Sequence, residues 1–314
     1  MAVYVVTGGA GFIGSNIVER LVGDGHEVRV VDDLSTGRRE NLDGLLDRIA
    51  FHEQDICDAD ALLAVCRGAD YVLHQAALAS VQRSVEQPIA TNRVNVQGTL
   101  TVLAAARDGG VRRVVYASSS SVYGDAPTLP KHEDMTPAPL SPYAVSKLAG
   151  EHYCAAFANV YGISTVSLRY FNVFGPRQDP NSQYAAVVPI FMQCLLSGKA
   201  PQVFGDGEQS RDFTHVDNVV QANLLAAEAQ LPAGQNSAVC NVGCAERHTL
   251  NELLEILGEM VGAAPEARYG PERPGDVRHS LADIGRAREL LGYQPAVGFR
   301  EGLRRTLEWH RKRT

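Results

Sequence analysis

An apolar run, VYVVTG, breaks at the eighth residue into a glycine series, and a helix-like stretch follows at once. Gly8, Gly11 and Gly14 recur every third residue across TGGAGFIG. Glycine lets a chain turn tightly and lets its backbone approach another group closely. A strand that ends in such a turn and feeds a helix is the opening of a strand–helix–strand unit. That unit commits the chain to parallel strands joined by crossovers.

The rest of the first half keeps the same rhythm. HEVRVVDD, RIAFHEQD, ADYVLHQAA, RRVVYASSS and ISTVSLRYF are β-rich, and helical spacing fills the gaps between them. The longest helical stretches are placed at 84–108 and 142–160. The pattern implies an α/β fold: a Rossmann-type doubly wound parallel sheet, covered on both faces. After about residue 170 the segments shorten and gain Pro and Gly, as in FGPRQDPNSQ, FGDGEQSRDF and PERPGD. A smaller C-terminal substrate-binding domain is placed there. The expected division is 1–170 plus 217–242 for the cofactor and 171–216 plus 243–314 for the substrate. FREGLRRTLEWHRKRT sets Phe299, Leu303 and Leu307 one turn apart, which predicts an amphipathic terminal helix with a solvated basic face.

Net charge is −7. That argues against nucleic acid or an anionic membrane as partner. An anionic ligand must therefore be held by local positive groups. The six cysteines include no C-x-x-C pair and read as mostly buried thiols of a cytoplasmic protein. No apolar run approaches a membrane span, and the glycine-broken N-terminus reads as strand and turn, not as a signal peptide. No metal site is expected.

The glycine turn suits a pyrophosphate, because the following helix start offers N–H groups and the positive end of its dipole. Asp32 closes the second strand and would accept hydrogen bonds from the adenosine ribose. Its charge, reinforced by Asp33, would repel a 2′-phosphate, so NAD is expected over NADP; Arg38 and Arg39 nearby weigh the other way. Asp55 and Ile56, ending the third strand, would meet the adenine.

SPYAVSK places Tyr143 and Lys147 at i and i+4, on one helix face. A neighbouring ammonium favours the phenolate by charge. Tyr143 is then a candidate base for a sugar or alcohol hydroxyl. ASSSSVYG ends another strand on the carboxyl edge of the sheet, where Ser118–Ser121 could present a hydroxyl to the same reacting oxygen.

Taken together, TGGAGFIG, HQAA, SSSSVYG, YAVSK, LRYFNVFGP and RDFTHVDN resemble the extended short-chain dehydrogenase/reductase superfamily, from the first strand almost to the C-terminus. LRYFNVFGPRQDPNSQYAAVVP, FGDGEQSRDF and GDVRHSLADI resemble the UDP-hexose 4-epimerases, particularly the UDP-N-acetylglucosamine 4-epimerase branch. The resemblance implies an NAD-dependent 4-epimerase of UDP-sugars working through a transient 4-keto sugar, and a homodimer. It puts the catalytic hydroxyl on Ser119, with Tyr143 and Lys147. It implies cofactor contacts from Gly8, Gly11, Phe12, Ile13, Asp32, Asp33, Asp55, Ile56, Gln75, Ala76, Ala77, Asn95, Tyr143, Lys147 and Phe171. Ser80, Ser119, Ser120, Ser121, Asn172, Gln178, Ala186, Val187, Val203, Phe204 and Arg211 would face the nucleotide-sugar. In RPGDVRHS, Arg273 would pair with the UDP pyrophosphate and Asp276 with the uridine ribose, and Ser280 would face the sugar. Ala79 stands where many glucose-type epimerases carry a lysine near the cofactor.

Related reactions fit less well. SSSVYG lacks the acidic pair that 4,6-dehydratases need and the glutamate of nucleotide-sugar decarboxylases. A UDP-glucuronate 4-epimerase would carry an arginine at position 179, where this chain has Asp179. A net sugar-nucleotide dehydrogenase would use the same triad, and a non-catalytic NAD sensor tends to lose the Tyr or the Lys.

Overall fold

The computed structural model describes residues 1–180, 186–262, 266–272 and 277–312. Seven parallel strands form the central sheet: β1 (Val3–Thr7), β2 (Glu27–Asp32), β3 (Ala50–Glu53), β4 (Tyr71–His74), β5 (Arg113–Ser119), β6 (Ser164–Tyr170) and β7 (Ser237–Val242). Their order is β7-β6-β5-β4-β1-β2-β3. The chain runs outward from β1 to β3 and then crosses to β4 on the other side. A crevice opens at that reversal, beyond the carboxyl ends of β1 and β4, where ligands bind in such sheets.

Alternation along each strand sorts its side chains onto two faces. Tyr4, Val6, Val30 and Leu73 join Ile17 and Leu21 of the first helix, Phe12–Gly23, and Val219 and Ala226 of helix Val216–Glu228. Val5, Val31, Val72 and Val114 pack on the other face against Leu62, Leu103 and Phe157. The sheet is thus buried on both sides, which is why its strands read as near-continuous apolar runs.

A third apolar cluster lies apart from the sheet. Phe174, Phe191, Met192, Phe213, Leu253, Leu257, Phe299, Leu303 and Leu307 form it. Helices Val187–Leu196, Leu250–Val261 and Phe299–Arg311 supply most of these residues. Among the described residues, only two- and three-residue ladders connect the strands here, such as Arg268–Gly270 on Gln202–Phe204.

The helical stretch expected at 84–108 is broken. Pro88 starts a new helix, Pro88–Asn92, and a π-helical turn, Arg93–Gly98, precedes helix Thr99–Asp108. Proline cannot continue the preceding helix, since it lacks the N–H. Of the cysteines, all free, Cys66, Cys154 and Cys240 are buried and Cys57, Cys194 and Cys244 partly so. Among the described residues no helix is long and apolar enough to cross a membrane.

Candidate active site

The crevice is a cleft of about 800 Å³, walled by the glycine turn, the loops after β2 and β4, and the start of helix Pro142–Tyr161. The glycines are sterically required. Gly8 has φ +67°, and a Cβ there would lie 2.6 Å from the Ala76 nitrogen. A Cβ on Gly14 would lie 2.1 Å from the Gly8 carbonyl oxygen. Helix Phe12–Gly23 begins with no capping side chain and no acidic residue in its first turn. Bare N–H groups and an uncompensated dipole end therefore face the cleft beside Phe12 and Ile13, which suits a pyrophosphate.

Asp32 is 6% exposed and lines the cleft. Its carboxylate accepts from the N–H groups of Ala10 and Leu34, both at 2.9 Å. Burial raises its pKa, and those two bonds oppose the rise. Asp33 is exposed and is held by Ser35. The two arginines that could have welcomed a 2′-phosphate are engaged with acids. Arg38 meets Asp179 at 2.5 Å, and Arg39 meets Glu53 at 3.8 Å. Asp55, Ile56, Gln75, Ala76 and Ala77 also line the cleft. Gln75 joins a polar cluster with Tyr170 and Asn223. Asn95 and Phe171 are instead buried behind the wall. Asn95 accepts from the Leu78 N–H at 2.8 Å and donates to Ser146 Oγ at 3.0 Å, tying the loop after β4 to the helix that carries Lys147.

Ser141 caps helix Pro142–Tyr161 through the Ala144 N–H, and Pro142 takes the first turn. Tyr143 and Lys147 follow on successive turns, both lining the cleft. Ser119 is the last residue of β5. Burial raises the Tyr143 pKa, while a hydrogen bond with Ser119 lowers it. Lys147 is 4% exposed; burial pulls its pKa down to about 8. Its Nζ donates to the Ala117 carbonyl at 2.8 Å and stands 5.8 Å from the centre of the Tyr143 ring. Tyrosine, serine and lysine thus converge as the spacing predicts.

Behind them lies a network the sequence analysis missed. Ser118 Oγ donates to Glu151 at 2.5 Å. Glu151 takes a two-pronged ion pair from Arg169 at 2.9 and 2.7 Å, both side chains nearly inaccessible. The Arg169 guanidinium lies 4.7 Å over the Tyr123 ring, and the Tyr123 hydroxyl donates to Asn241 at 2.7 Å. Buried charges persist when paired and hydrogen-bonded. The one available signal was Glu151 itself, one turn beyond Lys147.

The sugar-facing residues are spread more widely. Ser80, Gln178 and Ala186 line the cleft. Ser120 and Ser121 occupy the 3-10 turn Ser120–Tyr123, where Ser121 Oγ is buried without a hydrogen-bond partner among the described residues. Gln178 Oε1 is in the same condition. Asn172 (φ +29°) donates to the Asp212 carbonyl at 3.3 Å. Val187 opens helix Val187–Leu196, and Val203 and Phe204 lie in the strand Gln202–Phe204. Arg211 donates to the Ser210 and Arg278 carbonyls at 3.0 and 3.2 Å. Ser280 donates its N–H to the Ser210 carbonyl at 3.0 Å. Arg273 and Asp276 fall outside the described residues.

A glycine turn, a buried acid at the end of the second strand and a Ser–Tyr–Lys cluster on a doubly wound sheet define a dinucleotide-dependent enzyme of the short-chain dehydrogenase/reductase type. The NAD dependent epimerase/dehydratase family matches residues 4–243, and the chain belongs to it. It is 45% identical to a UDP-glucose 4-epimerase of Mycolicibacterium smegmatis over 99% of both chains. It is 42% identical to a solved UDP-N-acetylglucosamine 4-epimerase of Methanobrevibacter ruminantium in complex with UDP-N-acetylmuramic acid, with TM-score 0.94 over 100% of this chain and 99% of that one. A Thermus thermophilus UDP-glucose 4-epimerase in complex with NAD is 40% identical, with TM-score 0.89 over 99% and 100%. The cofactor is NAD, and the residues on the cleft wall fit it.

Proposed function

We propose that the protein is a UDP-sugar 4-epimerase that interconverts UDP-N-acetylglucosamine and UDP-N-acetylgalactosamine, and UDP-glucose and UDP-galactose, through a transient 4-keto sugar. The observation that carries the reading is the convergence of Ser119, Tyr143 and Lys147 beside the NAD cleft. When bound, NAD supplies the centre that takes the C4 hydride and gives it back. Everything else falls to this chain. Tyr143, as phenolate, takes the O4 proton, and Ser119 holds O4 by hydrogen bond. The Lys147 ammonium favours the phenolate by charge. Burial makes that interaction stronger than it would be in water. The keto sugar then turns about its pyrophosphate linkage, and Tyr143 returns the proton once the other face is presented. Gly8, Gly11, Phe12 and Ile13 hold the cofactor pyrophosphate and Asp32 its ribose. Asn172, Gln178 and Arg211 hold the nucleotide-sugar.

Small side chains support the N-acetylated substrates. Of the expected sugar-facing residues on the cleft wall, Ser80 and Ala186 are small, and Ser280 is small as well. A turning sugar sweeps its 2-acetamido group through that space. Incubation with each UDP-sugar, followed by identification of the products, tests the reading. Turnover of UDP-galactose alone would limit it to plain hexoses. Ser280→Tyr is expected to abolish turnover of UDP-N-acetylglucosamine and spare UDP-glucose, since a packed site does not absorb a ring without strain. Equal loss on both removes Ser280 from the reading. Asp179 is engaged by Arg38, so position 179 offers a sugar carboxylate no cation.

The proposal includes a cytoplasmic homodimer. Val85, Ile89 and Val145 are 63%, 85% and 52% exposed on neighbouring helices, an apolar face suited to a second copy. Sedimentation at monomer mass would exclude it.

A further inference from the structure

Among the described residues, three cationic side chains line the cleft: Arg38, Arg83 and Lys147. Two of them are already committed, Arg38 to Asp179 and Lys147 to the Ala117 carbonyl. The nearby Arg93 and Arg177 are also paired, with Asp55 and Glu19. Arg83 differs. It is half-buried, and its guanidinium has no hydrogen bond or ion pair among the described residues. Its backbone, by contrast, is fixed. The Arg83 N–H donates to Ser80 Oγ at 3.1 Å, and the next residue, Ser84, is fully buried and donates to the Val81 carbonyl at 2.6 Å.

A partly desolvated cation without a counter-charge gains free energy when an anion arrives. The surroundings make such a group necessary. The same wall carries Asp32, Asp33, Asp55 and Asp179, in a chain of net charge −7. A diphosphate entering this cleft meets repulsion unless a local cation offsets it. The glycine turn supplies dipoles only.

We propose that Arg83 is the oxyanion anchor of the cleft, binding the diphosphate of the dinucleotide cofactor through its guanidinium fork. The choice between cofactor and sugar rests on position. Arg83 continues the segment after β4, and that segment touches the glycine turn, where Gly8 abuts the backbone of Gln75 and Ala76. Arg83 lines the same cleft as Gly11, Phe12 and Ile13, at the helix start suited to the pyrophosphate. An acidic group on the sugar is the other source of the same chemistry. The inference rests on the NAD cleft and not on which UDP-sugar is turned over, so the two can fail separately.

The test is calorimetric titration of cofactor-free full-length protein, wild type against Arg83→Ala and Arg83→Gln. NAD and ADP-ribose are expected to bind about 10- to 100-fold more weakly to both variants, the usual worth of a hydrogen-bonded charge. Adenosine, which has no phosphate, is expected to bind all three alike. The affinity for NAD should also fall less steeply with added salt in the variants. Arg83→Lys should recover part of the loss, since lysine keeps the charge but not the fork. Weaker adenosine binding in Arg83→Gln would mean a damaged pocket and would overturn the anchor. Unchanged NAD and ADP-ribose would overturn it too. If UDP-glucuronate alone then weakened relative to UDP-glucose, the oxyanion would be the sugar's and the cofactor assignment would fall.

Discussion

The two halves of the molecule are built by different means. The sheet half is held by apolar packing on both faces of seven strands. The smaller half has one apolar cluster, and single buried polar groups stitch its loops together. Asp212, fully buried, accepts from the N–H groups of Cys244, Ala245 and Ala282 at 2.7, 3.1 and 3.1 Å. From helix Val216–Glu228 on the sheet, Asn218 Oδ1 accepts from the Ala296 and Val297 N–H groups, and its Nδ2 donates to the Val297 carbonyl, pinning a loop of the smaller half. Distributed packing tolerates the loss of one contact better than a three-way polar joint does. On the proposed function, the chemistry then falls to the half held by distributed packing, and the half that would hold the sugar depends on a few side chains.

The comparison can be broken most forcefully at Tyr143. Tyr143→Phe removes a proton shuttle and leaves the packing intact. Turnover should fall on the order of 10²- to 10⁴-fold, with NAD content and melting temperature unchanged. Loss of NAD alongside turnover would mean that chemistry and packing are not separable in this half.

Asp212→Asn attacks the joint in the smaller half. An amide cannot accept at both ends, so at least one buried N–H loses its partner, at about 1–3 kcal/mol. The segments bearing Arg211 and Ser280 should loosen. UDP-sugar KM is expected to rise on the order of 10-fold, with kcat and NAD content nearly unchanged. A fall in kcat alone would contradict the division of labour. The same residue gives a pH signature. Burial lifts its pKa to about 6, from the ordinary carboxylate value of 3.8. The folded protein then binds the proton more tightly than the unfolded chain does. The group's contribution to stability is fullest below about pH 4 and is lost as pH rises through about 6. The difference in unfolding free energy between wild type and Asp212→Asn should shrink over that window; a flat difference would show that Asp212 stays ionised.

Asp32→Ala sharpens the cofactor side. It leaves the Ala10 and Leu34 N–H groups unpaired and removes the charge opposing a 2′-phosphate. NAD should bind about 10-fold more weakly, and its preference over NADP should narrow. An undiminished preference would shift the discrimination to Asp33.

The smallest effect is expected at Asp179→Asn, which severs the tie between the halves at Arg38. Its side chains are 54% and 27% exposed, and such pairs are worth about 0–1 kcal/mol. NAD should dissociate no more than about fivefold faster in stopped flow. A much larger change would make this tie a true latch across the cleft.

The sequence by itself determined what local spacing can encode. Glycines three apart after an apolar run, an acid at the end of the next strand, and Tyr143 four residues before Lys147 need only one turn or one helix face to meet. So does the terminal helix, with Phe299, Leu303 and Leu307 in one stripe. The tertiary structure decided what distant residues do to one another. Arg169 reaches Glu151 only because β6 lies beneath helix Pro142–Tyr161, and Arg38 reaches Asp179 across 141 positions. Asn95, which the resemblance implies as a cofactor contact, also bonds to Leu78 and Ser146 across the fold. The residues around Arg83 in the sequence carry no ligand motif. Whether a charge is paired depends on what folds against it, and no spacing along the chain records that.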